Sequence, residues 1–167
     1  QVLTPVKDGL AGALELNSRI AELLNPGVLR TNILNIGVGD RVANTKNDYE
    51  HGLVNGSIGI VKLIDNGDIS IEYDVGVVTL PLTAANVSMA YALTVHKAQG
   101  QEYDTVIIAL SHSKPVMLQR RLLYTAITRA KRKVLIVGTK RAIDIVAEGT
   151  FNAARVTGLV QHLIDVD

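Results

Sequence analysis

Thr94-Val95-His96-Lys97-Ala98-Gln99-Gly100-Gln101-Glu102-Tyr103 is the stretch whose reading decides this chain. A short turn after a strand, rich in Gly, Gln and Thr, presents backbone N–H groups and polar side-chain tips to phosphate. Thr94 is placed to cap a short helix beside it, and His96, Lys97 and Gln99 then project toward a backbone or a nucleotide. Glu102 sits just before the next strand, at a sheet edge, where α/β proteins place ligands. For any one of these residues the plain alternative is a solvated loop that merely caps a helix. The order of the whole string sets it apart.

A second run, Tyr124-Thr125-Ala126-Ile127-Thr128-Arg129-Ala130, lies on a helix that follows the polar 111–114 loop. A guanidinium delivered by a rigid helix stabilises charge on a transferring γ-phosphoryl group. A lone Arg in that place would otherwise serve the helix dipole. Lys131, Arg132 and Lys133 fit a solvated basic turn or contacts to nucleic-acid phosphate equally well, and Arg120 and Arg121 are similarly open.

Outward from these runs, the chain alternates strand and helix at both ends. Residues 1–5 read as a short buried strand, and 11–24 as an amphipathic helix with Leu14, Leu16, Ile20, Leu23 and Leu24 on its apolar face. Asn25-Pro26-Gly27 ends it. Residues 105–110 and 134–137 read as buried strands, and 118–130 as a helix with Leu118, Leu122, Leu123, Ala126, Ile127 and Ala130 inward. Thr139 and Gly149 have the chemistry of an N-cap and a C′ residue, and 156–164 reads as a terminal helix. Between 37 and 85 the pattern is all-β. Asp65-Asn66-Gly67-Asp68 signals a type I′ hairpin, and Ile69, Ile71 and Tyr73 alternate with Ser70, Glu72 and Asp74.

The two quoted runs resemble motifs V and VI of a superfamily 1 nucleic-acid helicase, of the RecD-like branch that includes the alpha subunit of exodeoxyribonuclease V. Gln1-Val2-Leu3-Thr4-Pro5 resembles the start of motif IV, although Asp8 stands where many relatives carry a basic residue and only Lys7 precedes it. Gly39-Asp40-Arg41-Val42, Asn47-Asp48-Tyr49 and Val54-Asn55-Gly56-Ser57-Ile58-Gly59 resemble an inserted barrel in the same branch. The resemblance implies an α/β, RecA-like (P-loop NTPase-type) C-terminal helicase domain with a parallel sheet. Residues 1–36 plus 86–167 would form it, interrupted by a small SH3-like β-barrel at 37–85.

By that resemblance Arg129 is an arginine finger that reaches the γ-phosphate of ATP, with Gly100, Gln101 and Glu102 at the nucleotide edge. Thr94, His96, Lys97 and Thr125 face single-stranded DNA or couple it to ATP, and Gln99 serves either. Asn47 and Tyr49 guide the strand. Tyr49 is open to base stacking or to a place in the barrel wall, the commoner use of a Tyr. ATP and Mg2+ would be held mainly by an N-terminal RecA-like domain of the same parent. Nuclease or helicase subunits are further partners that the resemblance implies, as is 5′ to 3′ movement.

Composition sets limits on this. The 167 residues are 47% hydrophobic but only 4% aromatic, with no Trp and one Phe, so the core must be aliphatic. Lys and Arg total 17 against 16 Asp and Glu, so overall charge does not announce a nucleic-acid binder. The absence of Cys excludes disulfides and thiolate metal sites and fits a reducing cytoplasm. His51, His112 and His162 have no metal-like spacing, and no metal site is expected. No apolar run reaches the ~18 residues of a membrane span. The start at Gln1 suggests a piece of a longer protein. The phosphate-cradling G-x-x-x-x-G-K-[ST] pattern is nowhere in the sequence, so the chain alone is expected to neither hydrolyse ATP nor unwind DNA. The competing expectations are the helicase module of a conjugative relaxase or nuclease complex, a non-catalytic DNA or protein docking module, and an SH3-like interaction domain on an inert scaffold.

Overall fold

Two sheets share this chain. The structure, a computed structural model, describes residues 1–112 and 117–149. The terminal helix read at 156–164, His162 and part of the 111–114 loop lie outside the described residues. The first sheet is parallel and runs β7-β1-β8-β9, from β1 (Val2–Thr4), β7 (Ala92–Thr94), β8 (Tyr103–Leu110) and β9 (Ala130–Gly138). The second is antiparallel and runs β5-β4-β3-β2-β6. It is built from β2 (Arg41–Asn44), β3 (Ile58–Asp65), β4 (Asp68–Tyr73), β5 (Gly76–Pro81) and β6 (Val87–Met89), and it is inserted between β1 and β7. Helices α1 (Ala13–Leu24), α2 (Arg120–Ile127) and α3 (Lys140–Glu148) complete the described elements.

Local sequence explains most of the antiparallel unit. Ile69, Ile71 and Tyr73 are buried on one face of β4. Asn66 and Gly67 both have positive φ, 49° and 89°, the type I′ geometry that carries β3 into β4 without splaying the strands. The sheet also takes in β6, beyond the 37–85 span read from the pattern, through pairing of Val42 with Met89 and Asn44 with Val87. Its core adds Ile36, Leu53 and Val78.

Three expectations are corrected. On α1, Leu14, Leu23 and Leu24 point outward, and the buried face is Ala13, Asn17 and Ala21. The face of the helix toward the sheet carries small side chains. Asn17 fits because its carboxamide both donates to and accepts from the Ala92 backbone, at 2.8 Å each way, so it satisfies the outer edge of β7. The strand read as buried at 134–137 is β9, with Leu135, Ile136 and Val137 exposed; among the described residues it pairs only with β8 and lies at the sheet edge. Helix α2 stops at Ile127, which is exposed, and Ala130 already belongs to β9. The caps of α3 are as read: Thr139 accepts from the Ala142 amide, and Gly149 adopts φ 69°.

The two sheets meet at β2. Its consecutive residues face opposite ways. Val42 enters the core of the antiparallel unit, and Ala43 enters the core of the α/β unit with Leu3, Leu93 and Val106.

Both chain crossings between the units are clasped by Asp40, which is fully buried. Its Oδ1 accepts from Asn25 Nδ2 at 2.9 Å and from the Tyr91 hydroxyl at 3.1 Å. Its Oδ2 accepts from Arg30 Nε at 3.1 Å and from the Gly37 amide at 2.9 Å. Burial alone would raise this carboxyl, but the hydrogen bonds from Asn25, Gly37 and Arg30, with the Arg30 charge, outweigh it and hold the pKa below its ordinary value. Because the folded value is depressed, the stability it contributes is present above the unfolded value near ~3.9 and is lost as pH falls through the folded one. Asp40→Ala leaves Arg30 without its counter-ion and is expected to cost about 3–5 kcal/mol in urea unfolding. A loss below ~1 kcal/mol would refute the clasp. Asp40→Asn is expected to flatten the acid limb of a stability-against-pH profile.

Candidate functional site

The loop that leaves β7 is a string of tight turns, not the short helix expected beside Thr94. The Thr94 carbonyl accepts from Ala98 N at 3.1 Å, and its hydroxyl caps the Lys97 amide at 3.4 Å. Further turns follow from Gln99 N to His96 O and from Gln101 N to Ala98 O. Val95 and Ala98 are buried and pin the loop to the core. That leaves His96 and Lys97 exposed between the pins and Gln99 exposed just after the second.

His96 and Gln99 face two clefts. One, of about 520 Å³, is lined also by Gln119, Arg121 and Thr125. The other, of about 470 Å³, lies against the antiparallel unit and is lined also by Asn44, Asn55, Gly56 and Lys97. The Thr125 hydroxyl donates to the Arg121 carbonyl inside α2 at 2.9 Å.

Gly100, Gln101 and Glu102 lie at the amino end of β8, so they are not at the carboxyl edge where open α/β sheets usually hold ligands. Arg129 joins them there, because the turn after α2 returns the chain to the start of β9. The Tyr103 amide donates to the Arg129 carbonyl at 2.8 Å. The Arg129 guanidinium donates to the carbonyls of Thr125 and Gln101, at 3.2 and 3.3 Å, and to the Thr128 hydroxyl at 3.4 Å. All three partners are neutral, so the guanidinium is oriented while no carboxylate among the described residues pairs with it. The nearby Glu102 carboxylate pairs instead with Lys131, at 3.7 Å on the surface.

The Gln101 side chain turns away from this edge. Its Nε2 donates to the Gly56 carbonyl at 2.8 Å, and its Oε1 accepts from the Tyr103 hydroxyl. Burial raises the Tyr103 phenol. This bridge between the two units was not read from the sequence, where Asn55-Gly56 is only part of the barrel resemblance and Tyr103 only closes a motif. Nothing in local periodicity links residues 56 and 101.

Loop 45–57 carries the remaining candidates. Asn47 Oδ1 accepts from the Asn55 amide, and its Nδ2 donates to the Tyr49 hydroxyl, both at 2.8 Å. Tyr49 is 81% exposed, so the barrel-wall reading is corrected; Tyr73 is buried in the core of the antiparallel unit instead. Asp48 lies 2.8 Å from His51 Nδ1, and this hydrogen bond lowers its carboxyl pKa. Among the described residues no group of three or more His, Asp or Glu is arranged to hold a metal. No described helix is long and apolar enough to cross a membrane.

Residues 89–137 match the family described as UvrD-like helicase C-terminal domain. The chain is 38% identical over 168 aligned residues to the ATP-dependent RecD2 DNA helicase of Deinococcus radiodurans, covering 98% of this chain and 23% of that protein. It is 31% identical to the RecBCD enzyme subunit RecD of Mycobacterium tuberculosis strain H37Rv, covering 98% of this chain and 28% of that one. The chain thus spans under a third of the length of these relatives. Among solved structures, it is similar in fold to a Pif1 helicase from Candida albicans, with a TM-score of 0.61, 15% identity, and coverage of 99% and 49% of the two chains. It is also similar to a Bacteroides Pif1 helicase in complex with ADP-AlF3 and ssDNA, with a TM-score of 0.59, 20% identity, and coverage of 89% and 45%.

Gly56 has φ 95°, and a Cβ there would sit 2.5 Å from Gln101 Nε2. Gly56→Ala is therefore expected to lower stability by about 1–3 kcal/mol, measured by thermal or urea unfolding. An unchanged midpoint would show that the loop and Gln101 are not in fixed contact.

Proposed function

Because the chain belongs to the RecD-like branch of the superfamily 1 helicases, we propose that it is the C-terminal motor domain of an ATP-dependent DNA helicase. The observation that carries this reading is the Arg129 guanidinium, oriented at the Gln101 edge by three neutral oxygens. A polyanion suits that seat. Arg129 would exchange weak neutral acceptors for charged phosphate oxygens, and charge-assisted bonds of that kind are roughly twice as strong. Since the guanidinium is already oriented, little reorganisation accompanies the exchange.

In this reading Gly100, Gln101 and Glu102 border the nucleotide. Thr94, His96, Lys97, Gln99 and Thr125, with Asn47 and Tyr49, border single-stranded DNA. The exposure of His96, Lys97, Gln99 and Tyr49 supports the second set. Bound Mg-ATP, held mainly by an N-terminal RecA-like domain that carries the P-loop, supplies the phosphoryl group whose transfer to water drives the motor. Arg129 contributes charge stabilisation across the cleft between the two domains. In this reading the elements β1, α1 and β7 onward belong to the RecA-like part, and the SH3-like insertion runs from 37 through β6, which pairs with β2. We place the parent in the reducing cytoplasm, which a cysteine-free sequence suits. The similarity to RecD subunits favours a second form of the same reading, in which the parent works beside nuclease and helicase partners.

The isolated chain is expected to show no DNA-stimulated ATP hydrolysis above an Arg129→Ala preparation. Turnover by it would overturn the division of labour. In the parent, Arg129→Ala is expected to reduce DNA-stimulated turnover by ~10³-fold or more, the usual effect of an arginine finger. A parent whose rate is indifferent to the change would sink the motor reading and leave a docking module.

A further inference from the structure

We propose that Gln101 is a positioning residue that ties the Arg129 guanidinium to the Tyr49 loop, so that the nucleotide edge and the strand-facing loop move together. This rests on the motor reading above and adds to it the route by which the inserted unit senses the nucleotide.

The route is a series of hydrogen bonds joined by short stretches of backbone, and it crosses between the units through the Gln101 side chain. Arg129 Nη1 donates to the Gln101 carbonyl at 3.3 Å. The carboxamide of the same residue donates to the Gly56 carbonyl at 2.8 Å, and the Tyr103 hydroxyl holds its other end. Gly56 is fixed in turn, because its amide donates to the Asn44 carbonyl at 2.8 Å. One residue back, the Asn55 amide donates to Asn47 Oδ1, and Asn47 Nδ2 donates to the Tyr49 hydroxyl. Tyr49 itself is 81% exposed.

Three features suit this path to transmission. Gly56 takes a positive φ of 95°, which aims its carbonyl at Gln101 where another residue would collide with the carboxamide. The Gln101 amide is gripped at both ends, so it cannot swing without disturbing Gly56 or Tyr103. Among the described residues Arg129 is held by neutral oxygens alone, and one of these is the Gln101 carbonyl. When Arg129 engages a phosphate, that carbonyl loses or reorients its donor, and the displacement passes to the peptide whose side chain holds Gly56. A purely structural bridge would stabilise the fold equally in every nucleotide state. A relay contributes differently with nucleotide bound and absent, which is the condition for coupling between two sites.

The test uses the full-length parent. Affinity for single-stranded DNA is measured with no nucleotide and with ADP–aluminium fluoride, and the ratio of the two dissociation constants is the readout. Gln101→Glu keeps the acceptor for Tyr103 but sets a carboxylate oxygen against the Gly56 carbonyl. It is expected to shrink the nucleotide-linked ratio by at least about fivefold, the lower range of allosteric coupling. In a double-mutant cycle with Tyr49→Ala, the double variant is expected to be no worse than the poorer single one, as for two residues on one path. Asn47→Ala breaks the path at an exposed position and decides the matter by the same ratio if Gln101→Glu does not fold.

A wild-type ratio in either folded variant, or effects that simply multiply in the cycle, would overturn the relay. A parent that shows no ATP turnover removes the motor reading and the relay together. A parent with Arg129-dependent turnover and a wild-type ratio in Gln101→Glu removes the relay alone.

Discussion

A single buried carboxylate, that of Asp40, sets how the two halves of this protein sit against each other. It gathers donors from the end of α1, from the connecting segment, and from Tyr91 just ahead of β7. Buried ion pairs contribute little net stability, since desolvation offsets most of the attraction. Their consequence is geometric. A fully desolvated carboxylate tolerates only arrangements in which its lone pairs are met, so the segments that supply those donors must meet in one way. Everything that depends on the relation of the units, including the approach of the Gly56 carbonyl to Gln101, inherits that constraint.

The seam at β2 works in the same direction through packing. Val42 and Ala43 are neighbours in sequence but belong to different cores, and both are almost wholly buried. A larger side chain at 43 would push the sheets apart, and a slip of one residue would exchange the two faces. Asp40 at the crossings and β2 at the seam hold the inserted unit against the α/β unit. A hydrogen-bonded route across the junction then has a stable frame on which to act.

How much of this was legible in the sequence depended on the range of the interaction. Alternation in β4, the Asn66-Gly67 turn and the Thr139 cap are set by neighbours a few residues away, and all three stood out in the pattern. The outward leucines of α1 did not, because periodicity shows that a helix has a stripe but not which stripe meets the sheet; Asn17, buried through its bonds to Ala92, breaks the expected polarity. β9 was misread for a related reason. An aliphatic run describes a strand's composition, whereas burial depends on which strands and helices lie beside it. At the candidate site, the two quoted runs placed Arg129 and Gln101 at one edge, yet the partners of each side chain come from contacts that no local pattern encodes.

The neutral seat of Arg129 gives these observations one physical meaning. A guanidinium paired with a carboxylate would have to give up a strong, partly desolvated bond before it could serve a phosphate, and that cost would oppose the reaction. Carbonyl and hydroxyl oxygens at 3.2 to 3.4 Å orient the group while asking little for its release. Such an arrangement favours the arrival of negative charge and also makes the seat responsive, since each weak bond that Arg129 drops is felt by the group that accepted it. One of those groups is the carbonyl of Gln101, whose side chain already grips the inserted unit. The feature that would suit Arg129 to the proposed charge stabilisation would therefore also suit it to signal that charge has arrived, and both proposed roles rest on the same three bonds.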